Sequence, residues 1–261
     1  MLYIVGIGLK PQHISLEAIE ALKRCGNVFI DSYTSVYAEG SVQELEKILG
    51  RSVVQLGREQ LEGGGISDII NTARSNTVAL CVFGNPLSAT THIQLLIDAK
   101  KAGVRCEVIP GISTFSFLGK TGIDEYRFGR TVTIVRPEKG YAPDSFFTAI
   151  EKNRSAGMHT LCLLDIKSEW QHGRMIHDCM GVREAISILA AIAKKRKSAL
   201  MRGCTFIGIS CAGSENEKIR AGSAQELSEF DFGVPAALIV CAKLNEKETE
   251  ALGVFYGWNK K

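Results

Sequence analysis

Three short segments carry the residue types that could hold a ligand. They are Gly6-Ile7-Gly8-Leu9-Lys10-Pro11, Phe83-Gly84-Asn85-Pro86-Leu87-Ser88-Ala89-Thr90-Thr91-His92 and Pro110-Gly111-Ile112-Ser113-Thr114. Each follows an apolar run that reads as a buried strand. Each is therefore expected at the carboxyl end of a strand, where open α/β sheets place their ligands. Backbone amides, hydroxyls and one side-chain amide dominate them. Such a set suits a neutral or zwitterionic ligand and is poor in the cations that a polyphosphate needs. Gly6 and Gly8 with Asp31 also outline a dinucleotide-binding turn, but Pro11 stands at the third glycine position, where its ring fixes φ and removes an N–H. The alternatives are a turn that merely needs small residues, or one that brings backbone close to another ligand. The five histidines are scattered. No Gly-x-Ser-x-Gly, P-loop or His-Glu-x-x-His occurs, and nothing resembles a nucleophile with its base.

The elements that must position these loops alternate. Leu2–Gly8, Val28–Ile30, Val53–Leu56, Thr77–Phe83 and Arg105–Ile109 read as strands. Between them, Ile14–Arg24 (with Gly26 past its end), a helix opened by Ser41-x-x-Glu44 and closed by Gly50, Ile66–Arg74 and Thr90–Ala102 have helical spacing, and Thr90 or Thr91 could cap the last. Strands joined through helices imply parallel neighbours. After Pro110-Gly111 the texture changes. Thr131–Val135, His159–Leu164, Thr205–Ile209 and Ala236–Cys241 read as strands, and Asp144–Ser155, Arg183–Arg196 and Glu246–Leu252 as helices. Residues 165–182 and 210–235 read as polar and irregular. These observations predict an N-terminal α/β domain over residues 1–109 and a C-terminal α/β domain over residues 110–261.

Composition narrows the class. The chain has 261 residues, 45% hydrophobic and 23% charged, enough for two domains with proper cores and unlike a disordered chain or coiled coil. A formal charge of +3 does not predict nucleic-acid binding. No apolar run approaches the ~20 residues of a membrane span, and no secretory leader is visible, so a cytoplasmic protein is expected. The eight cysteines form no Cys-x-x-Cys pair, and several sit inside apolar runs, as reduced packing residues do. The one dense basic cluster, Lys194-Lys195-Arg196-Lys197, reads first as a solvated helix end and second as a contact for an acidic macromolecule.

With these loops in view, the chain resembles the diphthine synthase family of the tetrapyrrole-methylase-like group. The likeness spans roughly residues 1–245. It rests on Leu2-Tyr3-Ile4-Val5-Gly6-Ile7-Gly8-Leu9, Tyr33-Thr34-Ser35, Gly57-Arg58-Glu59, Ala89-Thr90-Thr91-His92, Tyr126-Arg127-Phe128-Gly129, Ala212-Gly213 and Arg220-Ala221-Gly222. Most specific is Gly157-Met158-His159-Thr160-Leu161-Cys162-Leu163-Leu164-Asp165-Ile166-Lys167, which is similar to the eukaryotic branch. The resemblance implies two α/β domains of the tetrapyrrole methylase type with the ligand cleft between them, and a homodimer. The methyl donor it implies is S-adenosylmethionine. The implied acceptor is a histidine of translation elongation factor 2 bearing a 3-amino-3-carboxypropyl arm, methylated repeatedly on its amine and, in the eukaryotic branch, on its carboxylate, a step of diphthamide biosynthesis. Carried onto matching positions, the cofactor contacts fall on Leu9, Asn85, Ser88, Ser113, Thr114, Leu164, Ala212 and Ala236; no metal and no catalytic residue is implied. A tetrapyrrole-type small-molecule methylase and an inactive elongation-factor-binding homologue are the alternatives.

Three positions depart from the family pattern. Gly84-Asn85-Pro86 replaces the usual Gly-Asp-Pro, which keeps hydrogen bonding and loses a negative charge. Ile112-Ser113-Thr114 keeps the serine and changes its neighbours. Ala236 or Ala237 stands where the family usually has histidine.

Overall fold

The structure, a computed structural model, describes residues 1–62 and 64–258. The chain forms two compact units, Met1–Phe115 with Ile166–Asp178, and Ser116–Asp165 with Cys179–Lys261. The sequence placed its single boundary at residue 110 and anticipated no returning segment.

The first unit alternates strand and helix through β1 (Leu2–Gly6), α1 (Leu16–Arg24), β2 (Asn27–Asp31), α2 (Val42–Leu49), β3 (Val54–Leu56), α3 (Arg58–Glu62), α4 (Gly65–Ser75), β4 (Val78–Val82), α5 (Ile93–Lys101) and β5 (Cys106–Ile109). The strands form one sheet in the order β3-β2-β4-β1-β5, every pair parallel. Parallel sheets are buried on both faces. Here Tyr3, Val5, Ala79 and Cys81 pack on one side and Leu2, Ile4, Val78 and Leu80 on the other, the period of two that a strand imposes. Caps end the helices where the sequence expects them in part. The Ser15 and Ser41 hydroxyls accept the Ala18 and Glu44 amides, and Gly50 closes α2 at φ +67°. Gly26 is not a cap; α1 ends at Cys25, and the Gly26 amide bonds Thr77. Helix α5 starts at Ile93, not Thr90; His92 stands at its N-cap position, with its amide donating to the Thr90 hydroxyl.

In chain order there follow β6 (Val132–Ile134), α6 (Ser145–Ser155), β7 (Thr160–Leu164), the hairpin strands β8 (Ile166–Gln171) and β9 (Arg174–Cys179), α7 (Val182–Arg196), β10 (Phe206–Ser210), β11 (Lys218–Gly222), α8 (Ala224–Glu229), β12 (Ala236–Val240) and α9 (Glu246–Tyr256). The second unit's sheet runs β11-β10-β12-β7-β6, antiparallel except for β6 beside β7. Its core joins Ile134, Cys162, Phe206 and Leu238 to Phe147, Ile186 and Leu189. The two stretches read as irregular both contain structure. Residues 165–182 hold the hairpin, whose two-residue turn His172-Gly173 has positive φ at both positions, the geometry that matches strand twist. Residues 210–235 hold β11 and α8, the latter opened by a Ser223–Glu226 capping box. Short polar elements with one exposed face lack the apolar periodicity that would reveal them. Among the described residues, no helix is long and apolar enough to cross a membrane.

Candidate functional site

All five strands of the first sheet point the same way, so the loops after β1, β4 and β5, on neighbouring strands, open at one edge. Three glycines hold these loops together. A methyl group built on Gly111 would stand 2.3 Å from the Gly84 carbonyl oxygen and 2.7 Å from the Gly6 carbonyl carbon; one built on Gly6 would stand 2.5 Å from the Gly111 nitrogen. Only glycine allows such backbone contact. Gly8 and Gly84 add a bridge, in which the Gly84 amide donates to Gly8 at 2.8 Å. A methyl on Gly84 would lie 3.5 Å from the Ser113 Cβ and 3.9 Å from the Leu9 Cδ2. The first unit thus brings Leu9, the Gly84-Asn85 turn and Ser113 to one place. Leu9 and Ser113 are buried, and Asn85, Ser88 and Thr114 half-buried.

The turn after β4 is built from its own polar groups. The Asn85 Oδ1 accepts the Leu87 amide at 3.2 Å, and the Asn85 carbonyl accepts the Ser88 amide at 3.2 Å. Ala89 sits in the left-handed region at φ +56°. Behind the turn lies a buried pair that sequence reasoning missed. The Asp31 carboxylate meets the His92 Nε2 at 3.0 Å and accepts the Thr34 hydroxyl at 2.6 Å and the Tyr33 and Thr34 amides. The His92 Nδ1 lies 2.8 Å from the Thr90 hydroxyl. Burial alone would raise the Asp31 pKa, but the hydrogen bonds from His92 and Thr34 outweigh it and hold the carboxyl below its ordinary value. Asp31, considered as a ribose ligand, is fully buried and occupied by these bonds. The partners are 61 residues apart, and the one clue is that both end up beside strand ends.

In the second unit, Leu164 ends β7, Ala212 follows β10 and Ala236 opens β12. The antiparallel pairings Ser210↔Ala236 and Ala237↔Leu163 put all three at the same end of that sheet. The Cys211 amide donates to the Pro235 carbonyl at 2.8 Å, which ties the Ala212 and Ala236 loops. At the other end, His159 is fully buried. Its Nδ1 accepts the Ala242 amide at 3.1 Å, so Nε2 carries the proton and donates to Glu248 at 3.1 Å. Arg127 closes the cluster on Glu248. Burial, opposed by Glu248, holds the His159 pKa below its ordinary value. This histidine fastens α9 and is a framework group. The basic run is not simply solvated, since Arg196 bonds Asp144 and the Thr148 hydroxyl and lies over the Phe147 ring. Among the described residues, no cluster of His, Cys, Asp or Glu could hold a metal ion.

Comparison with known proteins places this geometry. The family model for tetrapyrrole (corrin/porphyrin) methylases matches residues 1–228. A diphthine methyl ester synthase of Candida albicans is 35% identical over 98% of this chain and 89% of its own. That of Mus musculus is 35% identical over 98% of this chain and 96% of its own. The crystal structure of a candidate diphthine synthase from Entamoeba histolytica superposes with a TM-score of 0.85 at 30% identity, covering 98% of both chains. Identity maintained from one end of the chain to the other shows that it belongs to the tetrapyrrole methylase family of methyltransferases, and within it to the diphthine methyl ester synthases.

Proposed function

We propose that this chain methylates the 3-amino-3-carboxypropyl arm of a modified histidine on translation elongation factor 2, first repeatedly on the amine and then on the carboxylate, using S-adenosylmethionine. The end-to-end identity to diphthine methyl ester synthases carries this conclusion. The residues present suit the donor. The loops 84–91 and 110–115 hold hydroxyls, backbone groups and the Asn85 amide, with no lysine or arginine to repel a sulfonium. We assign its binding to Leu9, Asn85, Ser88, Ser113 and Thr114 of the first unit and to Leu164, Ala212 and Ala236 of the second. When bound, S-adenosylmethionine supplies a methyl group on an already activated leaving group. The chain's own residues then have to orient the acceptor and exclude water, a contribution of ~7–11 kcal/mol in favourable cases. Oriented carbonyl oxygens of the glycine-locked loops favour positive charge on the arm. The carboxylate acceptor needs no deprotonation at neutral pH. A homodimer acting in the cytoplasm completes the proposal.

The test is intact mass of elongation factor 2 bearing the unmethylated arm after incubation with this protein and S-adenosylmethionine. A gain of four methyl groups is expected. Three would remove the ester step, and no gain on a folded acceptor would reject the proposal.

A further inference from the structure

The hairpin of β8 and β9 belongs to the first unit, and together with α2 and β3 it encloses a cavity of about 470 Å³. Trp170, Arg174 and His177 line it from the hairpin, Gln43 from α2 and Gln55 from β3. The free groups of this lining are mostly donors. The Arg174 guanidinium, the Gln43 side chain and the Trp170 indole N–H make no hydrogen bond among the described residues. Gln55 uses only its Oε1, for Ser32, and His177 only its Nδ1, with Ser168. Among the described residues, no carboxylate lines the cavity. The indole is 45% exposed, and a methyl on Gly57 would stand 2.6 Å from its Nε1, so the ring lies against bare backbone. The cavity therefore offers an aromatic surface beside the Arg174 guanidinium, the indole N–H and the free NH2 groups of Gln43 and Gln55, a donor-rich set that takes carbonyl oxygens and a flat or apolar group.

Its place in the sheet gives the occupant. Gln55 lies near the carboxyl end of β3, and β3 is two strands from β4 and three from β1 in an all-parallel sheet. At the usual strand spacing the cavity opens about 10–14 Å along the same edge from the Asn85 and Leu9 loops, a reach of about three to four residues of extended polypeptide. A methyl acceptor that is a side chain brings its own flanking backbone to that edge. We infer that the Trp170–Arg174 cavity grips the polypeptide of the protein acceptor, three to four residues from the modified side chain, through its backbone carbonyls. This rests on the acceptor being a protein, as proposed above.

The experiment pairs steady-state kinetics with direct binding. Arg174→Glu changes an exposed side chain with no partner to lose, and Trp170→Ala removes the stacking surface. For Arg174→Glu, KM and Kd for the unmethylated elongation factor should each rise about tenfold. The affinity for S-adenosylhomocysteine and kcat at saturating acceptor should stay within about twofold, since Arg174 touches neither. Trp170→Ala should act the same way where circular dichroism shows it folded. Unchanged KM and Kd in Arg174→Glu would overturn the inference. The Kd arm decides even without turnover, so a wild-type protein that binds the factor but transfers no methyl group refutes the proposed activity and leaves this result to stand or fall alone.

Discussion

Gly111→Ala is the sharpest test of how the first unit builds the strand-end edge to which we assign the methyl donor. Gly111 has no positive φ, so alanine costs nothing in backbone conformation there. In a site with room, the substitution would stabilise the protein by ~0.4–1 kcal/mol through the unfolded chain. Here the new carbon would sit 2.3 Å from the Gly84 carbonyl oxygen and under 3 Å from Gly6, all backbone atoms of two strand ends that cannot rotate away. Bringing that contact to a tolerable distance moves the β5 loop from its neighbours by well over half an ångström. Overpacking of this kind costs about 3 kcal/mol, or about 6–12 °C of Tm for a chain of this size. The displaced loop carries Ser113 and Thr114, so affinity for S-adenosylhomocysteine should fall along with Tm. Gly103→Ala is the control. Gly103 has φ +75° and nothing within 4 Å of an added methyl, so it tests the left-handed backbone alone and should cost ~1–2 kcal/mol with no change in binding. Thermal unfolding and titration calorimetry read both. A Gly111→Ala protein with unchanged Tm and affinity would show that the three loops are not locked through their glycines.

Two further outcomes follow from single sites. Asn85→Asp keeps the oxygen that accepts the Leu87 amide and adds a charge, so S-adenosylmethionine should bind about fivefold tighter, from ~1 kcal/mol of exposed contact-range attraction. The neutral thioether of S-adenosylhomocysteine should gain less in calorimetry if the new charge faces the sulfonium; equal gains would place it beside the ammonium that both ligands carry, and no gain for either would remove the electrostatic reason. His159 is held neutral by burial, so its folded pKa lies below the ordinary value of 6.5 while the unfolded chain titrates there. Its contribution is complete above pH 6.5 and is lost as pH falls below it, because the unfolded state then binds the extra proton. His13 and His177 shift the same way. Tm measured from pH 8 down to 5 should decline in the wild type, and His159→Gln should start lower yet decline less; a parallel decline would place the acid sensitivity elsewhere.

How much of this was legible in the sequence depends on where each signal is stored. The first sheet was legible strand by strand, because a strand buried on both faces is a continuous apolar run bounded by turn residues, as in Val78–Val82 before Gly84. That the loops after β1, β4 and β5 meet at one edge was legible for the same reason, since glycine beside a strand end reports close backbone approach. The hairpin 166–178 was not. Its residues alternate between exposed and half-buried only from Arg174 to Cys179, and its face is completed by α2 and β3, more than a hundred residues earlier in the chain. The pairs Asp31–His92 and His159–Glu248 were equally hidden, since a hydrogen bond across 61 or 89 residues leaves no spacing to read. The two hidden features do different work. Asp31 and His92 tie the end of β2 to the turn after β4 and so fix how that strand end presents its loop; His159 with Glu248 ties α9 to the start of β7, at the opposite end of the second sheet from Leu164, Ala212 and Ala236. The loops contribute mostly short side chains and bare backbone, groups with little reach. A site made of such groups has to be held by its surroundings, and in this chain the surroundings are long-range polar contacts invisible to any local pattern.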